Sequence, residues 1–322
     1  MDMISFGSVF LELVFGHLHE LPRPGEEVFT DDFAVSCGGA VTSASAAARG
    51  GAHAGLCTVL GDDLGSRIVQ EHCARLGVEL SPSARGHRRA AGISVVLNFD
   101  GDRAFITHIP QCPPGERPEV ARWRDVLRRE RPPWCYLHAG QGVADFLRDA
   151  REVGTKVVLD VSLGDERYRE TVIECVRLAD VFVPNEDELL RLTGAGTVGQ
   201  AVTAALAWGT PLVVKRGMAG ALVADADGIA EVAEGVRRVQ VRDLTGAGDA
   251  FAGAMIAALL RGTPLRGAVV AANAAGSEAV SLLGAVGEVE VAGLGAVGLA
   301  LAGMFPDKVA GSAARAATDT GR

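Results

Sequence analysis

A chain of 322 residues, 48% of them hydrophobic, can bury a sizeable core as one large domain or two. Its net charge of −9 argues against a nucleic-acid partner, because nothing basic would neutralise phosphates along a duplex, and no uninterrupted apolar run reaches the roughly 18 residues of a membrane span. The six cysteines form no C-x-x-C pair or zinc spacing, and the start, Met1-Asp-Met-Ile-Ser-Phe-Gly, has no basic leader, so reduced thiols in the cytoplasm are expected.

Taken in chain order, Ile4 to Phe10 reads as a buried strand ending near Gly7-Ser8, and Glu26 to Val35 as short strands. Gly38-Gly39 opens a small, alanine-rich helix over Ala40 to Arg49, which Gly50-Gly51 stops. A strand over Ala52 to Val59 and a helix over Gly65 to Leu76 follow, then short strands over Ala90 to Ile109 with the turn Asp100-Gly101-Asp102. Pro113-Pro114-Gly-Glu-Arg-Pro reads as a surface loop. Strands are predicted at Trp134 to Ala139, Lys156 to Asp160, Val181 to Val183, Pro211 to Lys215 and Ala221 to Ala224. Helices are predicted at Val143 to Val153, Arg167 to Leu178, Glu186 to Leu192, Val198 to Trp208, Asp249 to Leu260 and Leu265 to Leu282. Such alternation means an α/β fold whose mostly parallel sheet is flanked by helices. The strand regions 11–35 and 90–110 break the rhythm and suggest a small β lid on a domain of residues 1–309, leaving 310–322 as a disordered tail.

The run Asp243-Leu244-Thr245-Gly246-Ala247-Gly248-Asp249 carries the most chemistry. Its glycines let the backbone approach a ligand closely, and the N–H groups of the helix that follows make an anion site. A carboxylate placed there would repel bound phosphate, so its natural task is to take a proton from an attacking hydroxyl. Taken alone, the same residues serve equally as a turn with Asp249 as a helix cap.

This run resembles the signature of the ribokinase-like (PfkB) family of carbohydrate kinases. Gly38-Gly39 stands where that family has its other signature, and Val183-Pro184-Asn185-Glu186-Asp187-Glu188 resembles its Asn-x-x-Glu motif. The three occur in family order over residues 3 to 290. The resemblance implies a ribokinase-like fold and ATP-dependent phosphorylation of a hydroxyl on a small sugar or sugar-like substrate. It makes Asp249 the general base and Gly246, Ala247 and Gly248 the anion hole. It places Asn185 and Glu188 at Mg²⁺ and the nucleotide, directly or through water, and Asp243 and Thr245 beside a monovalent cation such as K⁺. Lys215, Gly217, Gly220 and Asn273 would border ATP, and the lid would close over the sugar and pair two copies as a homodimer. Separately from the resemblance, Asn185-Glu188 reads as an ordinary helix cap, Asp243 as a surface turn residue, Lys215 as a solvated strand end, and Asn273 as bonded to backbone.

The acceptor side departs from the family pattern. Phe10 and Glu12 stand where many members carry Asn-x-Asp, and Ser43 where an asparagine usually follows the glycine pair. Glu12 can still accept hydrogen bonds from vicinal hydroxyls, whereas Phe10 offers only a ring face. Arg103 and Arg88-Arg89 read as ligands for an anionic substrate or as solvated charges. The rivals are a nucleoside kinase of the same family, favoured by Phe10, and a catalytically idle binding or regulatory homologue. A dehydrogenase built on Gly293-Leu-Gly295-Ala-Val-Gly298 is more distant, because no βαβ unit follows that cluster. No G-x-x-x-x-G-K-[ST] or H-E-x-x-H occurs, and His108 is the one histidine singled out, with a structural role expected.

Overall fold

Runs such as Val157-Val158-Leu159 and Leu212-Val213-Val214 suit strands covered on both faces, and in the structure all six residues are buried. The computed structural model describes residues 1–30, 32–86, 90–99, 102–109, 118–162 and 169–289. In chain order its elements are β1 (Met3–Phe6), β2 (Val9–Leu18), β3 (Phe33–Gly39), α1 (Ala40–Arg49), β4 (Ala54–Cys57), β5 (Val59–Leu60), α2 (Leu64–Leu76), β6 (Ala84–Arg85), β7 (Gly92–Phe99) and β8 (Asp102–His108). There follow α3 (Pro118–Glu130), β9 (Trp134–His138), α4 (Val143–Val153), β10 (Lys156–Asp160), α5 (Arg169–Leu178), β11 (Val181–Phe182), α6 (Glu186–Thr193), α7 (Val198–Leu206) and β12 (Leu212–Lys215). The last are β13 (Ala221–Asp225), β14 (Gly228–Val232), α8 (Ala247–Leu260) and α9 (Leu265–Ala279).

Met1–Glu288 form one compact unit. Its main sheet has eight strands in the order β14-β13-β12-β11-β10-β9-β1-β4. Neighbours from β4 to β12 run parallel, while β13 and β14 add an antiparallel edge. One face is covered by α3 to α7 around Trp123, Phe146, Leu147 and Leu189. On the other, α1, α8 and α9 pack Ala47, Phe251, Met255 and Val269 against Met3, Val158 and Val213. The predicted helix-flanked, mostly parallel sheet is what the chain forms. A second sheet, β3-β2-β7-β8, has four strands, and β5 and β6 make a short parallel pair.

The differences from expectation have local causes. The strand predicted over Ile4 to Phe10 is two: β1 ends at Phe6, and β2 departs at Val9 to start the second sheet. Of Glu26 to Val35, only the end from Phe33 is strand, because Pro22, Pro24 and Gly25 with a cluster of charges leave the preceding stretch irregular. The helix predicted to Leu282 stops at Ala279. α3 and the exposed edge strand β14 were not predicted, one hidden behind a proline-rich loop and the other by a weak apolar pattern. Arg88, Arg89, the Asp100-Gly101 turn, the loop over 113–117, the glycine cluster 293–298 and the tail 310–322 lie outside the described residues.

α1 and α8 touch backbone to backbone. A Cβ on Gly253 would lie 2.1 Å from the carbonyl oxygen of Ser43, and one on Gly50 would lie 2.6 Å from the Cβ of Ala257. Replacing a helical glycine by alanine ordinarily stabilises by about 1 kcal/mol. Here steric overlap with backbone reverses the sign, so Gly253→Ala lowers stability by about 1–3 kcal/mol. The urea midpoint of the variant checks this, and a midpoint equal to or above the parent's would show that the helices part freely.

Candidate functional site

His138, Asp160 and Lys215 are the last residues of β9, β10 and β12, and ligands of open α/β sheets bind at the carboxyl ends of the strands. These three side chains line a cavity of about 450 Å³ together with Asn185, Glu188 and the segment Gly246–Asp249. Gly246, at φ 74°, precedes α8 without a side-chain cap. The first N–H groups of α8 therefore have no partner within the helix and meet the cavity with the positive end of its dipole. A Cβ on Gly248 would stand 3.0 Å from Lys215 Nζ, so the glycine lets the ammonium lie against the loop.

Asp249 Oδ1 accepts a hydrogen bond from the Tyr136 hydroxyl at 2.8 Å and lies 3.3 Å from His138 Nε2. Both contacts fall on one oxygen, and the side chain retains 22% of its surface, enough to meet a ligand. Burial pushes the Asp249 pKa up, but the bond to His138, its charge, the Tyr136 hydroxyl and Lys215 outweigh burial and hold it below its ordinary value. For His138 burial works downward and is overcome by Asp249 and Asp160, so the imidazole is raised. The buried Tyr136 hydroxyl is also 3.1 Å from Asp160 Oδ2 and 3.0 Å from His138 Nε2. Its single proton serves one carboxylate at a time, and burial beside two carboxylates pushes its pKa well up.

Asp160 Oδ2 forms an ion pair with Lys215 Nζ at 2.7 Å. Burial lowers the Lys215 pKa, yet Asp160 and Glu188 more than offset it and the ammonium is raised, so Lys215 is a paired strand-end cation rather than a solvated one. Burial and the charge of Asp160 raise Glu188. Asn185 and Glu188 form a reciprocal capping box: Glu188 N–H donates to Asn185 Oδ1 and Asn185 N–H to Glu188 Oε2, each at 2.8 Å. The pair thus caps α6 and also faces the cavity. Asn273 Nδ2 donates to the carbonyls of Val232 and Glu234, both at 2.9 Å, so backbone is its partner although it lines the same cavity. Gly217 and Gly220 line it too, and a Cβ on Gly220 would strike the Val232 carbonyl at 2.2 Å.

Asp243 is buried, contrary to a surface turn. Its Oδ1 accepts from the N–H and hydroxyl of Thr245 at 2.8 and 2.6 Å, and its Oδ2 from Gly284 N–H at 2.8 Å. Two side chains of the second sheet hold the same segment: Glu12 Oε2 accepts from Ala285 N–H at 3.0 Å, and the Ser36 hydroxyl donates to the Gly287 carbonyl at 2.8 Å.

Five residues expected on the acceptor side do not line the cavity: Phe10, Glu12, Gly38, Gly39 and Ser43. The Phe10 ring fills the space that glycine leaves on both flanking strands, since a Cβ would meet it at 3.0 Å from Gly39 and 2.5 Å from Gly92. Glu12 is buried against Gly38, where a Cβ would fall 1.9 Å from Oε1. Burial, with the charges of Asp243 and Asp249, pushes Glu12 up to about 7 despite the Ala285 hydrogen bond. Ser43 sits inside α1, 2.8 Å from Ser5 Oγ and donating to the Ala40 carbonyl, because its helix face turns toward β1. Arg103 does line the cavity.

Sequence reasoning missed Tyr136, His138 and Asp160, and singled out His108, which is an exposed end residue of β8. The signal was present. Tyr136 and His138 alternate along an otherwise apolar strand, and Asp160 ends the next, at the edge where ligands bind. In His138→Gln protein the Asp249 carboxyl loses a cationic neighbour, so its titration moves up toward the ordinary carboxylate range. The ¹³C shift of Asp249 Cγ against pH reads this directly, and an unchanged midpoint would remove His138 as the cause.

The family model of the pfkB family carbohydrate kinases matches residues 19–291. The chain is 29% identical over 293 residues to the cytidine kinase of Thermococcus kodakarensis, covering 82% of this chain and 91% of that protein. It is 29% identical over 262 residues to the aminoimidazole riboside kinase of Salmonella typhimurium, covering 74% and 80%. Among solved structures, Arabidopsis thaliana ribokinase complexed with ribose and ATP superposes with a TM-score of 0.71 at 22% identity, over 88% of this chain and 94% of that one. Ribokinase from Thermotoga maritima gives 0.70 at 22% identity, over 90% and 96%.

Proposed function

The chain belongs to the pfkB family of carbohydrate kinases, ATP-dependent phosphotransferases of carbohydrate or nucleoside acceptors, and from that premise we propose that Asp249 is the general base of its reaction. The observation that carries this reading is the pairing of Asp249 with Tyr136 and His138 on one oxygen, at the open start of α8. The other oxygen, Oδ2, is left to take the proton of the acceptor hydroxyl. As that hydroxyl oxygen bonds to the γ-phosphorus of ATP, the bond to the β–γ bridging oxygen breaks and ADP leaves with its electron pair. A base held below the ordinary range is ionised at neutral pH, and a loose phosphoryl transition state asks little basicity of it. Backbone N–H groups of Gly246, Ala247 and Gly248 meet charge on the transferred phosphoryl group, and Lys215 meets the phosphates. Gly217, Gly220 and Asn273 border the nucleotide.

Among the described residues no three His, Cys, Asp or Glu side chains gather into a metal cage. Mg²⁺ fits a different set: one or two carboxylates beside substrate phosphates, with water completing the octahedron. Glu188, raised by the neighbouring charge of Asp160, and Asn185 are that set, and Mg²⁺ bound there would neutralise phosphate charge. Asp243 is buried with three hydrogen-bond donors and no ion pair among the described residues, a charge deficit that a monovalent cation such as K⁺ beside Asp243 and Thr245 would meet.

The acceptor is a small sugar or a riboside. Phe10 does not line the cavity and so lends a nucleoside no support by stacking there, but the two riboside kinases among the relatives support one. An idle homologue would not need the assembled base, ammonium and anion loop. We place the chain in the cytoplasm: Cys37, Cys57, Cys73, Cys135 and Cys175 are free and buried, and among the described residues no helix is long and apolar enough to cross a membrane. The second sheet acts as the lid. The face opposite Arg103 carries Ile93, Phe33 and the 67%-exposed Ile106, an apolar surface suited to pairing two lids as a homodimer.

ADP release with MgATP on a panel of sugars, sugar acids and nucleosides tests the function. Turnover on a member of the panel should fall by a factor of order 10² or more in Asp249→Asn. Equal turnover by the variant would remove Asp249 as base, and none by the parent would favour the idle homologue. For the lid pairing, Ile106→Asp should convert a dimer to a monomer in sedimentation, and a monomeric parent would refute it.

A further inference from the structure

The second sheet sends into the cavity a guanidinium that the chemistry above leaves unused. Arg103 lies on β8, and the strand register sets Asn98 of β7 directly opposite it. On the same face, four residues along each strand, Ser94 and Thr107 satisfy each other through hydroxyls 2.9 Å apart. Arg103 and Asn98 have no such arrangement. Among the described residues Arg103 makes no ion pair, and its Nε is buried without an acceptor. Asn98, only 4% exposed, has a buried Nδ2 that also lacks one. Arg103 Cζ lies 5.6 Å from the centroid of the Phe105 ring, within reach of a cation–π contact that steadies the guanidinium without supplying a hydrogen-bond acceptor. Buried donors without acceptors are destabilising and rare, and two of them opposite each other beside a cavity are a site that waits for acceptors.

We infer that Arg103, supported by Asn98, recognises a planar edge bearing two hydrogen-bond acceptors on the phosphate-accepting substrate. A guanidinium fork matches such an edge with two parallel bonds. A sugar acid's carboxylate and the O2/N3 edge of cytosine both offer it. Full charge on an unpaired arginine favours the carboxylate. The subsite deepens the reading of the cavity as a kinase site and rests on it, because Arg103 and Asp249 line one cavity and would grip one molecule at two ends.

The experiment compares matched acceptors: a sugar acid against its uncharged alcohol, and cytidine against uridine, whose N3 carries a proton. Each is assayed by ADP release and by calorimetric binding, with the parent, Arg103→Gln and Arg103→Lys. The parent should prefer the two-acceptor member of one pair by at least 10-fold in kcat/KM, expressed mainly in KM. Arg103→Gln should cut that preference below about 3-fold, and Arg103→Lys, which restores charge without the fork, should recover it in part. Which pair shows the effect identifies the source. A preference unchanged by Arg103→Gln, or no preference in either pair, overturns the inference and leaves the kinase standing. Selective binding lost in Arg103→Gln with no turnover on any acceptor keeps the subsite and overturns phosphotransfer. Thermal melts of both variants separate loss of recognition from loss of fold.

Discussion

Two carboxylates, Asp160 and Asp249, converge on the single buried hydroxyl of Tyr136, and the rest of the site is arranged around what that convergence costs. Like charges brought together away from water repel strongly. Lys215 compensates Asp160 from one side and His138 compensates Asp249 from the other. Each compensating cation is itself raised by the carboxylates it serves. The result is a symmetric chain, Lys215, Asp160, Tyr136, Asp249, His138, with a carboxylate on each side of the tyrosine and a cation at each end. Both of its contacts to Asp249 fall on Oδ1, so the direction in which that carboxylate faces is set by the protein alone.

This polar chain stands on aliphatic strands and on a pair of helices, α1 and α8, rich in small residues. β9, β10 and β12 bring their last residues to one edge because the strands are parallel and in register. α8 brings Asp249 to the same edge because glycine and alanine let it lie close on α1. Small residues here place backbone against backbone, and the position of Asp249 follows from that close helix contact.

Much of this was legible in the chain. Helices α1 and α4 and strand β10 fall on the residues expected, because alternating apolar strands and amphipathic helices bounded by glycine are local signals. The glycine loop that opens α8 was legible for the same reason, its glycines and carboxylate being adjacent in sequence. The partners of Asp249 were not, because Tyr136 lies 113 residues away and only the closure of the sheet sets them together. The acceptor side was less legible. Phe10 and Glu12 both lie on β2, beyond the expected strand in the case of Glu12, and their side chains take up room left by Gly38, Gly39 and Gly92. Ser43 follows the glycine pair as expected, yet its helix face turns it toward β1. Position in a motif did not reveal which of its side chains the fold itself consumes.

The segment Gly284–Gly287 is held by Asp243 from the anion loop and by Glu12 and Ser36 from the second sheet. It is therefore a mechanical linkage: the second sheet and the loop before α8, the proposed lid and phosphate site, are fastened to the same few residues. In the proposed lid role, a displacement of this sheet would reach the loop's anchor through these hydrogen bonds rather than through a bound substrate. One fastener, Glu12, is poised near neutrality at about 7. Its protonation would remove the negative charge that receives the Ala285 N–H and slacken the linkage on the sheet's side, while Asp243 keeps its grip on the other.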